Sequence, residues 1–266
     1  MITGRGQLKI GGVAMELSFT VTAGLCPPQA LLVDAQRLAD GITDHAAAKV
    51  EQADHRISCQ KGCGACCRQM VPVTPVEARH LTAVVEAMPP ERQAVVRARF
   101  KAARETLNAA QLGDPGHPEE DKPAYRAYGV GYFHMRVPCP FLEEESCSIH
   151  ADRPLVCREY LVTSPPAACA ALGTGQVRQV VMPLHVWALF GRSMAGDGGL
   201  DWMPLIHSLD YGPAPGPAVC AHRSAAGGGF VESLAALVGN PGTGCGRLAI
   251  PPPPRGGITL DQTRGW

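Results

Sequence analysis

The chain has 266 residues, with 24 basic and 24 acidic side chains, 45% apolar and only 5% aromatic. Balanced charge argues against a protein that binds nucleic acid by bulk phosphate neutralisation, and so few aromatics argue against recognition by stacking. The apolar content rules out disorder throughout, while 30 glycines and 24 prolines demand many loops and turns.

Residues 1–12 lack the apolar run of a secretory signal, and no window reaches the length of a membrane span. The expectation is a cytoplasmic protein with neither a membrane nor a nucleic acid as partner. Met15 is a second candidate start, because residues 1–14 are glycine-rich and add little. Residues 7–10 and 13–22 alternate with period two (Val13, Met15, Leu17, Phe19 and Val21 on one face), which predicts a hairpin turning at Gly11–Gly12. Pro27–Pro28 opens a helix of about 25 residues. Its face is Leu31, Ala35, Leu38, Ile42, Ala46 and Val50, with Gly41 a weak point in the middle.

Residues 59–73 read as loop. Thr74, Pro75 and Glu77 then form a capping box with proline at the first helical position, followed by an apolar side of Val76, Leu81, Val84, Val85 and Met88. Pro89–Pro90 begins another helix with Val96, Phe100, Ala103 and Leu107 in register, stopped by Gly113. Residues 113–123 are a polar connection, and 138–169 a second cysteine-rich loop region. Residues 176–192 are apolar and ambiguous between strand and helix. Short helices are predicted over 202–209 and 230–238, and the Pro/Gly-rich tail from Asn240 reads as extended or irregular.

Eleven cysteines dominate the chemistry, and eight of them fall in two stretches. The first reads Cys59-Gln-Lys-Gly-Cys63-Gly-Ala-Cys66-Cys67-Arg68. The second holds Pro138-Cys139-Pro140-Phe141-Leu142, Cys147-Ser-Ile-His150, Arg153-Pro154-Leu-Val-Cys157-Arg158 and Cys169. In a reducing compartment such clusters read as metal ligands or redox centres rather than staples, and an odd total would leave one thiol unpaired. Cys63-x-x-Cys66 is a chelate spacing: two intervening residues let both sulfurs face one ion, and Gly62 and Gly64 permit the tight turn. Cys59 can reach the same place. Side chains of neighbours diverge, so of Cys66 and Cys67 one faces a second metal, bridges, or is a free thiol. Tetrahedral thiolate sites take four sulfurs. Two assemblies fit: one shared site with spare thiols, or two metals (or an iron–sulfur cluster plus a metal) between the loops. A dithiol redox centre at Cys63 and Cys66 would leave the second cluster unexplained. In either assembly a helical hairpin between Cys67 and Cys139 must fold back, and the site pins its ends together.

Lys61, Arg68, Arg153 and Arg158 stand beside the cysteines, either as hydrogen-bond donors around a negatively charged site or as solvated surface charge. His150 is the one histidine to test as a ligand; the alternative is an exposed loop residue. Glu119–Glu120 and Glu143 to Glu145 read as solvated loop charge. Gly227 to Gly229 lacks the context of a phosphate cradle. Cys26, Cys220 and Cys245 are isolated.

The run Cys63-Gly-Ala-Cys66-Cys67, Pro138-Cys139-Pro-Phe-Leu and Cys147-Ser-Ile-His-Ala-Asp-Arg153-Pro154-Leu-Val-Cys157-Arg158 resembles the YkgJ-type cysteine-cluster family, also called the CxxCxxCC or zinc- or iron-chelating domain. The continuation Glu159-Tyr160-Leu-Val-Thr-Ser164-Pro165 is similar to a longer subgroup of it. Two departures stand out. The first gap is Cys59-x-x-x-Cys63 rather than two residues, and His150 stands where the family usually has tyrosine, so ligation by His150 is not inherited. The resemblance implies bound zinc or an iron–sulfur cluster and implies no particular reaction. A related cysteine pattern occurs in flagellin lysine N-methylases.

These readings combine into a mainly α fold with a small N-terminal β-hairpin and cysteine-rich loops joined around a metal site. The expected units are 1–58 (hairpin and helix), 59–169 (cysteine-cluster domain), 170–239 (helical segment packing on it) and 240–266 (tail). The expected ligands are Cys59, Cys63, Cys66, Cys67, Cys139, Cys147, Cys157 and Cys169, holding an iron–sulfur cluster, zinc or both. The alternatives are a metal-dependent protein-modifying enzyme with a protein substrate, and a metal carrier or redox sensor with a metal-receiving partner.

Overall fold

The turn expected at Gly11–Gly12 lies outside the described residues. The computed structural model describes residues 2–10, 13–22, 28–113, 122–171, 177–195, 200–211 and 245–249. In it β1 (Ile2–Ile10) and β2 (Val13–Thr22) pair antiparallel, with Ile10 opposite Val13. The first arm is longer than its side-chain alternation suggests. A ladder is made of backbone groups, so Gly4 and Gly6 pair as their neighbours do, opposite Phe19 and Leu17.

Helix α1 (Pro28–Gln52) runs 25 residues without a break at Gly41. Leu31, Ala35, Leu38, Ile42 and Ala46 are buried along one face, as their spacing requires. After the first cysteine segment come a two-residue strand β3 (Pro72–Val73), α2 (Pro75–Glu86) and α3 (Pro90–Ala109). The capping box forms: the Glu77 N–H donates to Thr74 Oγ1 and the Thr74 N–H to the Glu77 carboxylate. Val96, Phe100, Ala103 and Leu107 are the buried face of α3.

A further helix, α4 (Lys122–His134), turns the expected two-helix hairpin into three helices. Gly129 and Gly131 weaken its local propensity. Tertiary packing supplies what propensity lacks, since Tyr132 is buried with Ala103, Leu107, Val137 and Ile206.

The second cysteine segment carries a tiny hairpin, β4 (Leu142–Glu143) with β5 (Ser146–Cys147), and two single helical turns, α5 (Leu155–Arg158) and α6 (Pro166–Cys169). The ambiguous stretch after it is both things in turn. Residues 178–180 bond to the extended chain at 161–163, and α7 (Val186–Ala195) begins beyond Pro183. Residues 203–210 form β6 (Met203–Pro204), paired with β3, and a 3-10 turn (Leu205–Asp210), where one short helix is expected from sequence. The tail supplies β7 (Cys245–Ala249), antiparallel on β2. The helix predicted at 230–238, Gly227 to Gly229, Glu119–Glu120, Cys26 and Cys220 lie outside the described residues.

Two apolar clusters flank the cysteine segments. One joins α2 and α3 to Phe141, Ile149 and Leu205. The other joins the end of α1 (Ala46, Ala47) to Leu161, Val180 and Met182. Among the described residues no helix is long and apolar enough to cross a membrane.

Candidate metal centre

The first cysteine segment is shaped by glycine. Gly62 has φ +85°, the left-handed region that a side chain resists, and so reverses the chain between Cys59 and Cys63. Gly64 serves differently. A Cβ there would meet Glu145 Oε2 at 2.5 Å and Leu142 Cδ1 at 2.8 Å, so its absence lets the two cysteine segments touch. Cys66 and Cys67 follow on a 3-10 turn (Ala65–Arg68). The segment is fastened at its edges. The Ser58 N–H donates to the Val162 carbonyl (2.9 Å), the Gly62 N–H to Ser146 Oγ (3.1 Å), and Arg68 clasps Glu145 through two hydrogen bonds of 2.8 and 2.6 Å.

The second segment is fastened from within. The Cys139 N–H donates to the Cys67 carbonyl at 2.7 Å, so a backbone bond pins together the two ends of the intervening helices. Phe141 stacks edge-on against Phe100 of α3, ring centres 5.3 Å apart. The turn bearing Cys157 is anchored by Glu77, whose Oε1 accepts the Leu155 N–H (2.8 Å) while Oε2 serves the capping box. Arg158, only 4% exposed, donates to Asp40 of α1 (2.6 Å) and to the carbonyls of Arg153 (3.0 Å) and Ala151. Glu159 accepts the Trp187 N–H at the start of α7 (3.0 Å).

All eight predicted ligands, Cys59, Cys63, Cys66, Cys67, Cys139, Cys147, Cys157 and Cys169, line one cavity of about 460 Å³. Every one is a free thiol, seven half-buried and Cys169 buried. Burial pushes the Cys59 thiol up to about 11 and Cys139 to about 12, and neighbouring thiols add to both shifts. Cys157 and Cys147 are raised chiefly by burial, each with some relief from Arg153. The neighbouring Cys67 and burial together raise the Cys66 thiol, Cys67 the more strongly. Among the described residues no three histidine, cysteine, aspartate or glutamate side chains stand in the arrangement of a formed metal site. The thiols enclose a space rather than a point. As a donor set they suit a thiophilic ion or an iron–sulfur cluster, since all are cysteine sulfur and all face the same cavity.

The basic residues have other work than reaching sulfur. Arg158 and Arg153 converge on Asp40, with Arg153 also donating to the His150 carbonyl (2.9 Å). Both hold positive charge beside Cys147. Lys61 is exposed at the cavity mouth. His150 lines the cavity with its Nδ1 3.1 Å from Arg153, and its pKa is lowered to about 4 by burial and the two arginines. Glu143 and Glu145 are ion-paired, Glu143 to Arg92 (2.7 Å) and Arg99 (2.6 Å), rather than merely solvated. Sequence reasoning passed over Asp40, which pairs with Arg158, and saw only the helix-capping half of Glu77. A local signal exists for Glu77 alone, because the contacts of Asp40 are distant along the chain.

Residues 58–176 match the family model CxxCxxCC, described as "Putative zinc- or iron-chelating domain". That segment, under half of the chain, is similar to the CxxCxxCC family. The match begins one residue before Cys59 and ends beyond Cys169, so it contains all eight clustered thiols. No curated protein and no solved structure gave a match. The family supports metal binding in general.

Proposed function

We propose that this protein holds zinc, an iron–sulfur cluster or both through Cys59, Cys63, Cys66, Cys67, Cys139, Cys147, Cys157 and Cys169. The observation that carries the reading is the single cavity that all eight thiols share, although more than 100 positions separate the first from the last. Thiolates are the ligands both centres prefer, and nearby Arg153 and Arg158 offset the negative charge that thiolates accumulate. A bound centre would supply either a rigid cross-link between the segments or a redox-active group. The residues of this chain gather the thiols, desolvate them and screen their charge.

Elemental analysis with a visible spectrum, on protein purified without oxygen, tests this. Brown protein with iron and acid-labile sulfide identifies a cluster, and colourless protein with stoichiometric zinc identifies the other centre. Well-folded protein containing neither, and taking up neither on reconstitution, overturns the proposal. A second reading, metal transfer to a receiving protein, is favoured by the partial exposure of seven of the eight thiols. It expects a competing chelator to empty the loaded protein rapidly without unfolding it. Retention of metal until the chain unfolds would instead mark a structural site.

A further inference from the structure

We infer that a second cleft, beside the thiol cavity, binds a small disulfide that carries carboxylates and delivers its sulfur to Cys63. The cleft measures about 400 Å³ and lies between the first cysteine segment, the end of α4 and the turn α6. Small-molecule sites occupy about 300–1,000 Å³, so it has room for such a ligand. It shares Gly62, Cys63 and Ala65 with the thiol cavity, and of the eight clustered thiols Cys63 alone lines both. Residues 62, 64 and 65 carry nothing larger than a methyl group, and a Cβ on Gly62 would meet no atom within 4 Å. Cys63 is therefore the side chain of this turn that can reach a ligand, and it is half-buried rather than sealed.

Two guanidinium groups line the cleft, and one of them is answered. Arg68 is paired with Glu145 at 2.6 Å. Arg136 has no carboxylate partner among the described residues. It donates to the Ala170 carbonyl (3.3 Å) and lies over the Phe133 ring, 5.9 Å from its centre. These neutral contacts hold the guanidinium in place without cancelling its charge. Arg136 stands two residues beyond the end of α4 with φ +51°, where glycine would cost least. A carboxylate is the ligand group that the surplus charge fits. A thiol and a cation in one cleft together select a molecule with both a carboxylate and a sulfur that a thiol can attack. The Cys63 sulfur attacks one sulfur of the ligand's disulfide. A bond between Cys63 and the ligand forms, the ligand's own S–S bond breaks, and the departing thiol leaves with the Cys63 proton, so no further oxidant is needed. The adduct reversibly caps one of the eight clustered thiols. The exchange needs no ion, so the inference goes beyond the metal-binding reading and does not depend on it.

The test uses the full-length, reduced, metal-free chain. It is mixed with oxidised glutathione and, in parallel, with the uncharged disulfide of mercaptoethanol; early samples are quenched with acid and the modified cysteine is located by peptide mass spectrometry. Oxidised glutathione is expected to modify Cys63 first, with a larger preference over the other seven thiols than the uncharged disulfide shows. Arg136→Gly removes the guanidinium and suits the left-handed backbone. It is expected to slow the reaction of Cys63 with oxidised glutathione about fivefold at low salt, the scale of an exposed ion pair, and to leave the uncharged disulfide unaffected. First attack at another cysteine, an equal preference with both reagents, or an Arg136→Gly chain that reacts like the wild type or is slowed equally with both, overturns the inference. The metal-binding reading survives each of these outcomes, because it fails only if folded protein takes up neither zinc nor a cluster. The wild-type comparison of the two reagents decides the matter even if the variant fails to fold.

Discussion

The two cysteine segments reach the same cavity by unlike means. The second, from Cys139 to Cys169, is held by buried charge: Glu77 beneath Leu155, Arg158 against Asp40, Glu159 at the start of α7. The first, from Cys59 to Cys67, has no buried ionic anchor among the described residues. It owes its shape to Gly62 and Gly64 and its attachment to backbone bonds and the exposed Arg68–Glu145 pair. The contrast predicts that the second segment acts as a firm wall and the first as a flap laid on it, the easier of the two to open.

Substitutions sharpen that comparison. The largest loss is expected for Glu77→Ala, which strips the acceptor from three donors in a buried place. It should destabilise the protein by about 3 kcal/mol, read from urea unfolding. Glu77 also sets a pH dependence. Burial raises it from 4.5 to about 6, so the folded state binds its proton more tightly than the unfolded chain does. Its stabilising contribution is complete below the unfolded value and is lost as pH rises through the folded one. The loss should be on the order of 1–2 kcal/mol, and absent in Glu77→Gln. A wild type and variant with parallel pH profiles would show that Glu77 does not titrate in this window.

Arg158→Ala follows, at about 2–3 kcal/mol, because it removes the closer of the two arginines on Asp40 and leaves two carbonyls unanswered; Arg153 stays with Asp40, which is one third exposed, and both temper the cost. Arg158→Lys should recover little of it, since one ammonium cannot serve all three directions. Gly64→Ala comes next, at roughly 1–2 kcal/mol, by driving a methyl group into Leu142 and Glu145 and lifting the flap. It should also speed alkylation of the first-segment thiols more than those of the second. Equal acceleration of both sets would deny the distinction between wall and flap. The smallest effect belongs to Glu145→Ala, whose exposed ion pair with Arg68 should leave thermal unfolding nearly unchanged at physiological salt.

Much of the scaffold was legible in the order of residues. The face of α1, the capping box at Thr74 and the four buried positions of α3 are periodicities of three and four, fixed by helical geometry whatever surrounds them. The eight thiols were legible for a different reason: cysteine is scarce, and its clustering at chelate spacing needs explanation. Helix α4 was not legible, because its glycines conceal a helix that packing supports. Nor was the strand formed by Cys245–Ala249, where pairing depends on a partner more than 200 residues away.

The sequence alone determined which atoms are available for binding and which helices flank them, because donor chemistry and helical periodicity are local properties. Tertiary structure decided that eight scattered thiols share one cavity, and that Glu77 and Arg158 brace the wall. Those outcomes depend on distances between segments, which packing sets only once the apolar clusters on either side have formed.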